Sequence, residues 1–190
     1  MSADQKIILT VSRLSGFERY KGYDRLLEIM PIIRQSIPNI HYIIVGKGDD
    51  LDRIEQIINQ NNLQSCVTLA GFVADEYLCD YYNLCDLFAM PSKAEGFGIV
   101  YLEALACGKP VLGGNLDGAV DALCHGEIGV LINPDNLDEI AEAIIQILSG
   151  QHENQAIYQP EFLRQQAIAT FGFEHFQKIL SNHLSRFLEK

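Results

Sequence analysis

The segment richest in chemistry runs Pro91-Ser92-Lys93-Ala94-Glu95-Gly96-Phe97-Gly98-Ile99-Val100-Tyr101-Leu102-Glu103-Ala104-Leu105-Ala106-Cys107-Gly108-Lys109-Pro110. A strand ends here, two glycines permit a tight turn, and a helix begins. Glycines at a helix start let backbone N–H groups approach an anion, and the helix dipole favours negative charge there. From Ile99 to Cys107 every residue is apolar or aromatic except Glu103. A carboxylate on so apolar a helix is costly unless a cation or hydrogen-bond donors meet it. A sugar diol supplies two donors to one carboxylate. Solvent or a nearby lysine would also serve, and the spacing leaves these readings open. Lys6, Arg13, Arg19, Lys21 and Arg25 crowd the first 25 residues of a chain with 14 lysines and arginines and a net charge of −11. Such a cluster is either a confined anion site or a solvated loop and helix face.

Other chemistries find little support. Asp50-Leu51-Asp52 has a D-x-D form, but it opens a helix, where aspartates are favoured as caps and by the dipole. Gly46-x-Gly48 lacks the third glycine of a dinucleotide fingerprint and is followed by Asp49-Asp50, which repel a pyrophosphate. Gly108-Lys109-Pro110 precedes a strand, so it is no P-loop. His41 falls in a strand and His125 in a turn, both read as structural. With no C-x-x-C and no histidine pair at zinc spacing, no metal is expected. The five cysteines (Cys66, Cys79, Cys85, Cys107, Cys124) sit singly in apolar segments and read as small buried hydrophobes of a reducing cytoplasm. The acidic balance argues against a nucleic-acid partner. No apolar run reaches membrane-spanning length, and nothing suggests secretion.

The elements that must position these residues follow from periodicity. Strand-length runs at Ile7–Val11, His41–Val45, Cys66–Ala70, Leu87–Met90, Val111–Gly113 and Val130–Ile132 alternate with helical patterns. The helices are expected at Tyr23–Ile37, Leu51–Gln60, Glu76–Leu84, Ile99–Ala106, Ala119–Leu123 and Leu137–Leu148. Strands separated by helices of this length imply right-handed crossovers and an α/β, doubly wound, Rossmann-like parallel sheet of about six strands. Asn136 with Glu139 reads as a capping box, and Gly150 as a C-terminal cap. The pattern breaks at the polar stretch Gln151–Gln159, and two helices without strands follow, around Glu161–Thr170 and Glu174–Leu188. Residues 1–150 are thus expected to form the sheet domain and 151–190 a helical tail. Phe176, Ile179, Leu180, His183, Leu184 and Phe187 make an apolar stripe on the last helix. In an open parallel sheet, ligands bind beyond the carboxyl ends of the strands, which is where the glutamates and the cation-bearing loop fall.

Glu95 and Glu103, eight residues apart with Gly96-Phe97-Gly98 between them, resemble the E-x7-E signature of the retaining GT-B glycosyltransferases of family four, the group 1 transferases. Val11-Ser12-Arg13-Leu14, Glu18-Arg19-Tyr20-Lys21-Gly22, Val45-Gly46-Lys47-Gly48, Ala70-Gly71-Phe72-Val73 and Gly129-Val130-Leu131-Ile132-Asn133-Pro134 match other parts of that family in order. The resemblance implies one half of a GT-B fold, the half that binds a UDP- or GDP-sugar without a metal cofactor. By the same resemblance Arg13 and Lys21 hold the donor diphosphate and Glu95 approaches the transferred sugar, these three being the catalytic set. Glu103 binds the ribose hydroxyls, Gly96, Phe97, Gly98 and Ile99 contact sugar and phosphate, and Phe72 and Val73 seat the base, with Gly46 beside them. The partner implied is an N-terminal acceptor domain that this chain lacks, so the chain alone is expected to be inactive. A nucleotide-sugar epimerase of the same fold, or a non-catalytic binding module, are the alternatives. Asp117 and Asp121 depart from the family, which carries a glycine and a glutamate there, and put donor-sugar preference in doubt.

Overall fold

The computed structural model describes residues 4–188. Its centre is an all-parallel sheet of β1 (Lys6–Val11), β2 (Ile40–Val45), β3 (Val67–Gly71), β4 (Leu87–Met90), β5 (Val111–Gly114) and β6 (Val130–Ile132), in the order β3-β2-β1-β4-β5-β6. The helices between them are α1 (Tyr23–Ser36), α2 (Leu51–Gln60), α3 (Asp75–Leu84), α4 (Ile99–Ala106) and α5 (Ala119–Ala122), with α6 (Leu137–Leu148) after β6. α7 (Pro160–Phe171) and α8 (Phe173–Leu188) complete the chain.

Side chains alternate across each strand, so the sheet divides the apolar residues between two cores. Ile8, Tyr42, Ile44, Ala89 and Leu112 join α1, α2 and α6 on one face. Leu9, Ile43, Val45, Phe88 and Met90 join Tyr82 of α3, Tyr101 and Leu105 of α4, and Leu163 and Ala167 of α7 on the other. Burial on both faces explains why the strands read as near-continuous β-branched and apolar runs. α7 docks on α4, while Phe173, Phe176, Ile179, Leu180 and Leu184 of α8 are exposed; the Phe187 side chain lies outside the described residues.

The strands and helices fall within two residues of the boundaries expected from periodicity. Three short 3-10 segments among the described residues, Gly16–Lys21, Cys124–Gly126 and Gln155–Tyr158, do not follow from the periodicity. Gly16–Lys21 is coiled between Ser15, whose hydroxyl accepts from Phe17 N, and Gly22 at φ +78°. Gln155–Tyr158, inside the polar stretch, turns on Asn154 and buries Ile157. Segments of one or two turns carry no readable period, so only their caps could have announced them. Asn136 caps α6 by accepting from Glu139 N, but the Glu139 carboxylate accepts from Asn133 N and the Asn136 side-chain amide rather than from the Asn136 backbone N–H, so the capping box is only half formed. The cysteines also require correction: Cys66 and Cys85 are buried, but Cys79 is exposed and Cys107 and Cys124 are half-buried. Cys79 lies at the exposed rim between α3 and α4, where an apolar neighbourhood in sequence does not become burial in space.

Candidate functional site

The strand order reverses between β1 and β4. The chain leaves β1 toward β2 and leaves β4 toward β5, so the two following loops part and open a crevice at the carboxyl ends. Into it β1 delivers Ser12 and Arg13, the 3-10 segment delivers Lys21, and β4 delivers the loop Pro91–Gly98. The loops are tied together. Lys93 N donates to Tyr20 O at 3.0 Å, and Gly22 sits so close to Pro91 that an added Cβ would lie 2.4 Å from the Pro91 carbonyl oxygen. Lys21 Nζ lies 2.6 Å from Glu95 Oε2, with both side chains largely buried. Arg13 pairs with Glu18 at 2.5 Å and is otherwise exposed.

None of the five early cations is unpaired. Lys6 meets Asp86 at the opposite end of β1, Arg19 meets Asp50, and Arg25 shares Asp135 with Lys93. Only Arg13 and Lys21 belong to the crevice. Asp50 has a structural task that differs from the expected cap, since its carboxylate makes no capping bond to α2. It accepts instead from Arg19, Arg53 and Tyr23. Burial pushes its pKa up, but these donors outweigh that and hold it at about 2.

Glu103 stands on the α4 face turned to α3, where Tyr82 donates to Oε2 at 2.6 Å. Its partner is therefore a tyrosine hydroxyl rather than a lysine. Burial first, and the adjacent Glu103 second, push the Tyr82 pKa up, so the hydroxyl stays a donor. Glu103 faces a cavity of about 400 Å³ lined also by Asp75, Leu78, Cys79, Tyr82 and Cys107. Asp75 and Leu78 are shared with a second cavity of about 340 Å³, lined by Ser12, Arg13, Gly46, Lys47, Phe72, Val73 and Val100. Two-thirds of Phe72 is exposed, and Lys47 lies 4.6 Å from its ring centroid. The Ser12 hydroxyl is buried with no hydrogen-bond partner among the described residues. Gly46 has a packing reason of its own, because a Cβ there would meet the Ser12 carbonyl oxygen.

Gly98, at φ +82°, opens α4, and its neighbours Gly96, Phe97 and Ile99 are exposed. Phe97 leans edge-on against Phe171 of α7, ring centroids 5.5 Å apart. The structure thus gathers Arg13, Lys21, Glu95, Gly96, Phe97, Gly98 and Ile99 around the crevice, with Glu103, Phe72, Val73 and Gly46 along the adjoining cavities. Sequence reasoning missed three residues. Tyr82 has no signal that pairs it with a glutamate 21 positions away. Glu18 holds Arg13, and a local acid–base pair five apart was there to be read. Asp117 was noted only as a departure. Its Oδ2 accepts from Glu95 N and Ser92 Oγ, both at 2.7 Å, and its Oδ1 accepts from Ala119 N, which fixes the glutamate-bearing loop. Asp121 is exposed. Among the described residues no group of three or more His, Cys, Asp or Glu side chains is placed to hold a metal, and no helix is long and apolar enough to cross a membrane.

A family model described as glycosyl transferases group 1 matches residues 2–161. A GDP-mannose-dependent alpha-(1-6)-phosphatidylinositol monomannoside mannosyltransferase of Mycobacterium tuberculosis is 34% identical over 146 residues, covering 73% of this chain and 38% of the relative. Among solved structures, sucrose-phosphate synthase of Thermosynechococcus elongatus superposes with a TM-score of 0.82 at 28% identity, over 100% of this chain and 47% of that one. Anabaena Alr3699/HepE in complex with UDP superposes with a TM-score of 0.81 at 27% identity, over 97% of this chain and 50% of that one. This chain therefore spans less than two-fifths of that curated relative's length, and its sheet and C-terminal helices match one lobe of a GT-B fold. The chain belongs to the glycosyl transferases group 1 family.

Proposed function

We propose that this chain is the donor-binding half of a retaining glycosyltransferase that moves a hexosyl group from a UDP- or GDP-sugar to an acceptor. In this reading residues 1–150 form the donor domain, 151–190 the tail, and the acceptor is held by a separate N-terminal half in the cytoplasm. The observation that carries the reading is the Lys21–Glu95 pair at the strand switch point, one helical run from Glu103. The donor diphosphate takes Lys21 from Glu95 and Arg13 from Glu18. That exchange frees Glu95 to face the sugar. Glu103, oriented by Tyr82, accepts from the ribose hydroxyls, and the base lies along Phe72 and Val73. Arg13, Lys21 and the start of α4 then stabilise charge on the departing diphosphate while the acceptor attacks from the same face. In this role the cations and helix terminus do what a divalent metal does elsewhere.

Calorimetric titration of UDP, GDP and ADP into the chain in EDTA tests the reading. Weak binding of UDP or GDP is expected of residues 1–190 alone, because they span only about half of the solved chains they match. A strict requirement for magnesium or manganese, or binding of none of the three, would defeat it.

A further inference from the structure

Across the interface of α3 and α4, two side-chain pairs stand one helical turn apart. Tyr82 meets Glu103, while Cys79, three residues before Tyr82, meets Cys107, four residues after Glu103. The two sulfurs are 3.9 Å apart, and both line the cavity that Glu103 faces. Cys79 is exposed, and the Asn83 side-chain amide donates to its sulfur at 3.3 Å. Burial and the neighbouring Cys79 push the Cys107 thiol up to about 11. An accessible thiol in contact with a second, less exposed one is the arrangement of an attacking and a resolving cysteine. The other cysteines are differently placed: the Cys66 and Cys85 thiols are buried and donate to backbone carbonyls.

We propose that Cys79 and Cys107 form a reversible disulfide under peroxide, and that this bond weakens nucleoside diphosphate binding at the neighbouring Glu103. The second clause rests on the donor-binding reading above. In the first step the Cys79 thiolate attacks a peroxide oxygen, the O–O bond breaks, and hydroxide leaves behind a Cys79 sulfenic acid. In the second the Cys107 sulfur, giving up its proton, attacks the Cys79 sulfur; the S–S bond forms, the S–O bond breaks, and water leaves. The two thiols together lose two electrons, and hydrogen peroxide is reduced to two waters. A dithiol reductant reverses the bond by exchange. A disulfide holds its sulfurs about 2 Å apart. Closing the present gap draws α3 and α4 together at this rung and shifts the adjacent Tyr82–Glu103 rung, on which the ribose contact depends.

The test titrates UDP and GDP into the full chain after dithiothreitol and after hydrogen peroxide, with peptide mapping of each sample by mass spectrometry. The oxidised sample should yield linked Cys79 and Cys107 peptides and bind about tenfold more weakly, a typical coupling between neighbouring sites; dithiothreitol should restore affinity. Cys79→Ser and Cys107→Ser should each bind like the reduced protein and ignore peroxide. Absence of the linked peptides, or equal affinity before and after linkage, overturns the proposal while leaving donor binding intact. If the reduced protein binds no nucleoside diphosphate, the donor reading fails and takes the switch with it.

Discussion

Glu103 illustrates how one hydroxyl decides what a carboxylate can do. On an otherwise apolar helix it has, among the described residues, one side-chain donor, Tyr82, on Oε2, which leaves acceptor capacity for a diol. Tyr82→Phe should therefore weaken nucleoside diphosphate binding severalfold by letting the carboxylate turn. It should lower stability by about 2 kcal/mol, the worth of a hydrogen bond to a charged group. Calorimetry and thermal melts on the same variant separate the two effects, and equal binding would show that Tyr82 does not orient Glu103. Glu18→Ala should act in the opposite direction, since it releases Arg13; weaker binding there would mean that Arg13 does not meet the diphosphate. At this scale the sequence exposed Glu95 and Glu103 through their spacing and glycines. It hid Tyr82 and Asp117, because what matters in each is a contact made across two elements.

Between elements, Asp50 ties the 3-10 segment, α1 and α2 into one unit through Arg19, Tyr23 and Arg53, and so fixes the stem from which Lys21 reaches the crevice. Asp50→Ala should cost about 3 kcal/mol, the loss expected when a buried charge pair is broken. The folded carboxyl titrates at about 2, below the unfolded value of ~3.9. Its contribution is thus complete above about pH 4 and is lost as pH falls toward 2. Thermal melts from pH 6 to 2 should show the gap between wild type and Asp50→Asn narrowing in that lower window; a constant gap would mean that the carboxylate is not held ionised by these donors. Strands and long helices were legible because burial on two faces and on one stripe imposes different periods, as in Ile40–Val45 and Leu137–Leu148. The 3-10 segment carrying Lys21 was not, because six residues with no buried member leave no pattern.

For the molecule as a whole, the sheet covered on both faces predicts that the chain folds alone; in the proposed reading, where a separate half holds the acceptor, residues 1–190 by themselves should transfer no sugar. α8 presents Phe173, Phe176, Ile179, Leu180 and Leu184 to solvent, an apolar face that in the proposed enzyme meets the other half. Removing residues 173–190 should leave the melting temperature nearly unchanged and reduce self-association in sedimentation; a large loss of stability would assign the helix to this domain's own core. The most direct test of donor binding is one calorimetric comparison, in EDTA, of the same nucleoside diphosphate with wild type, Glu103→Ala and Glu95→Ala. Glu103→Ala should bind more weakly, because the ribose contact is lost. Glu95→Ala should bind more tightly, because Lys21 is released to the phosphates. Equal losses in both variants, or no change in either, would contradict the account.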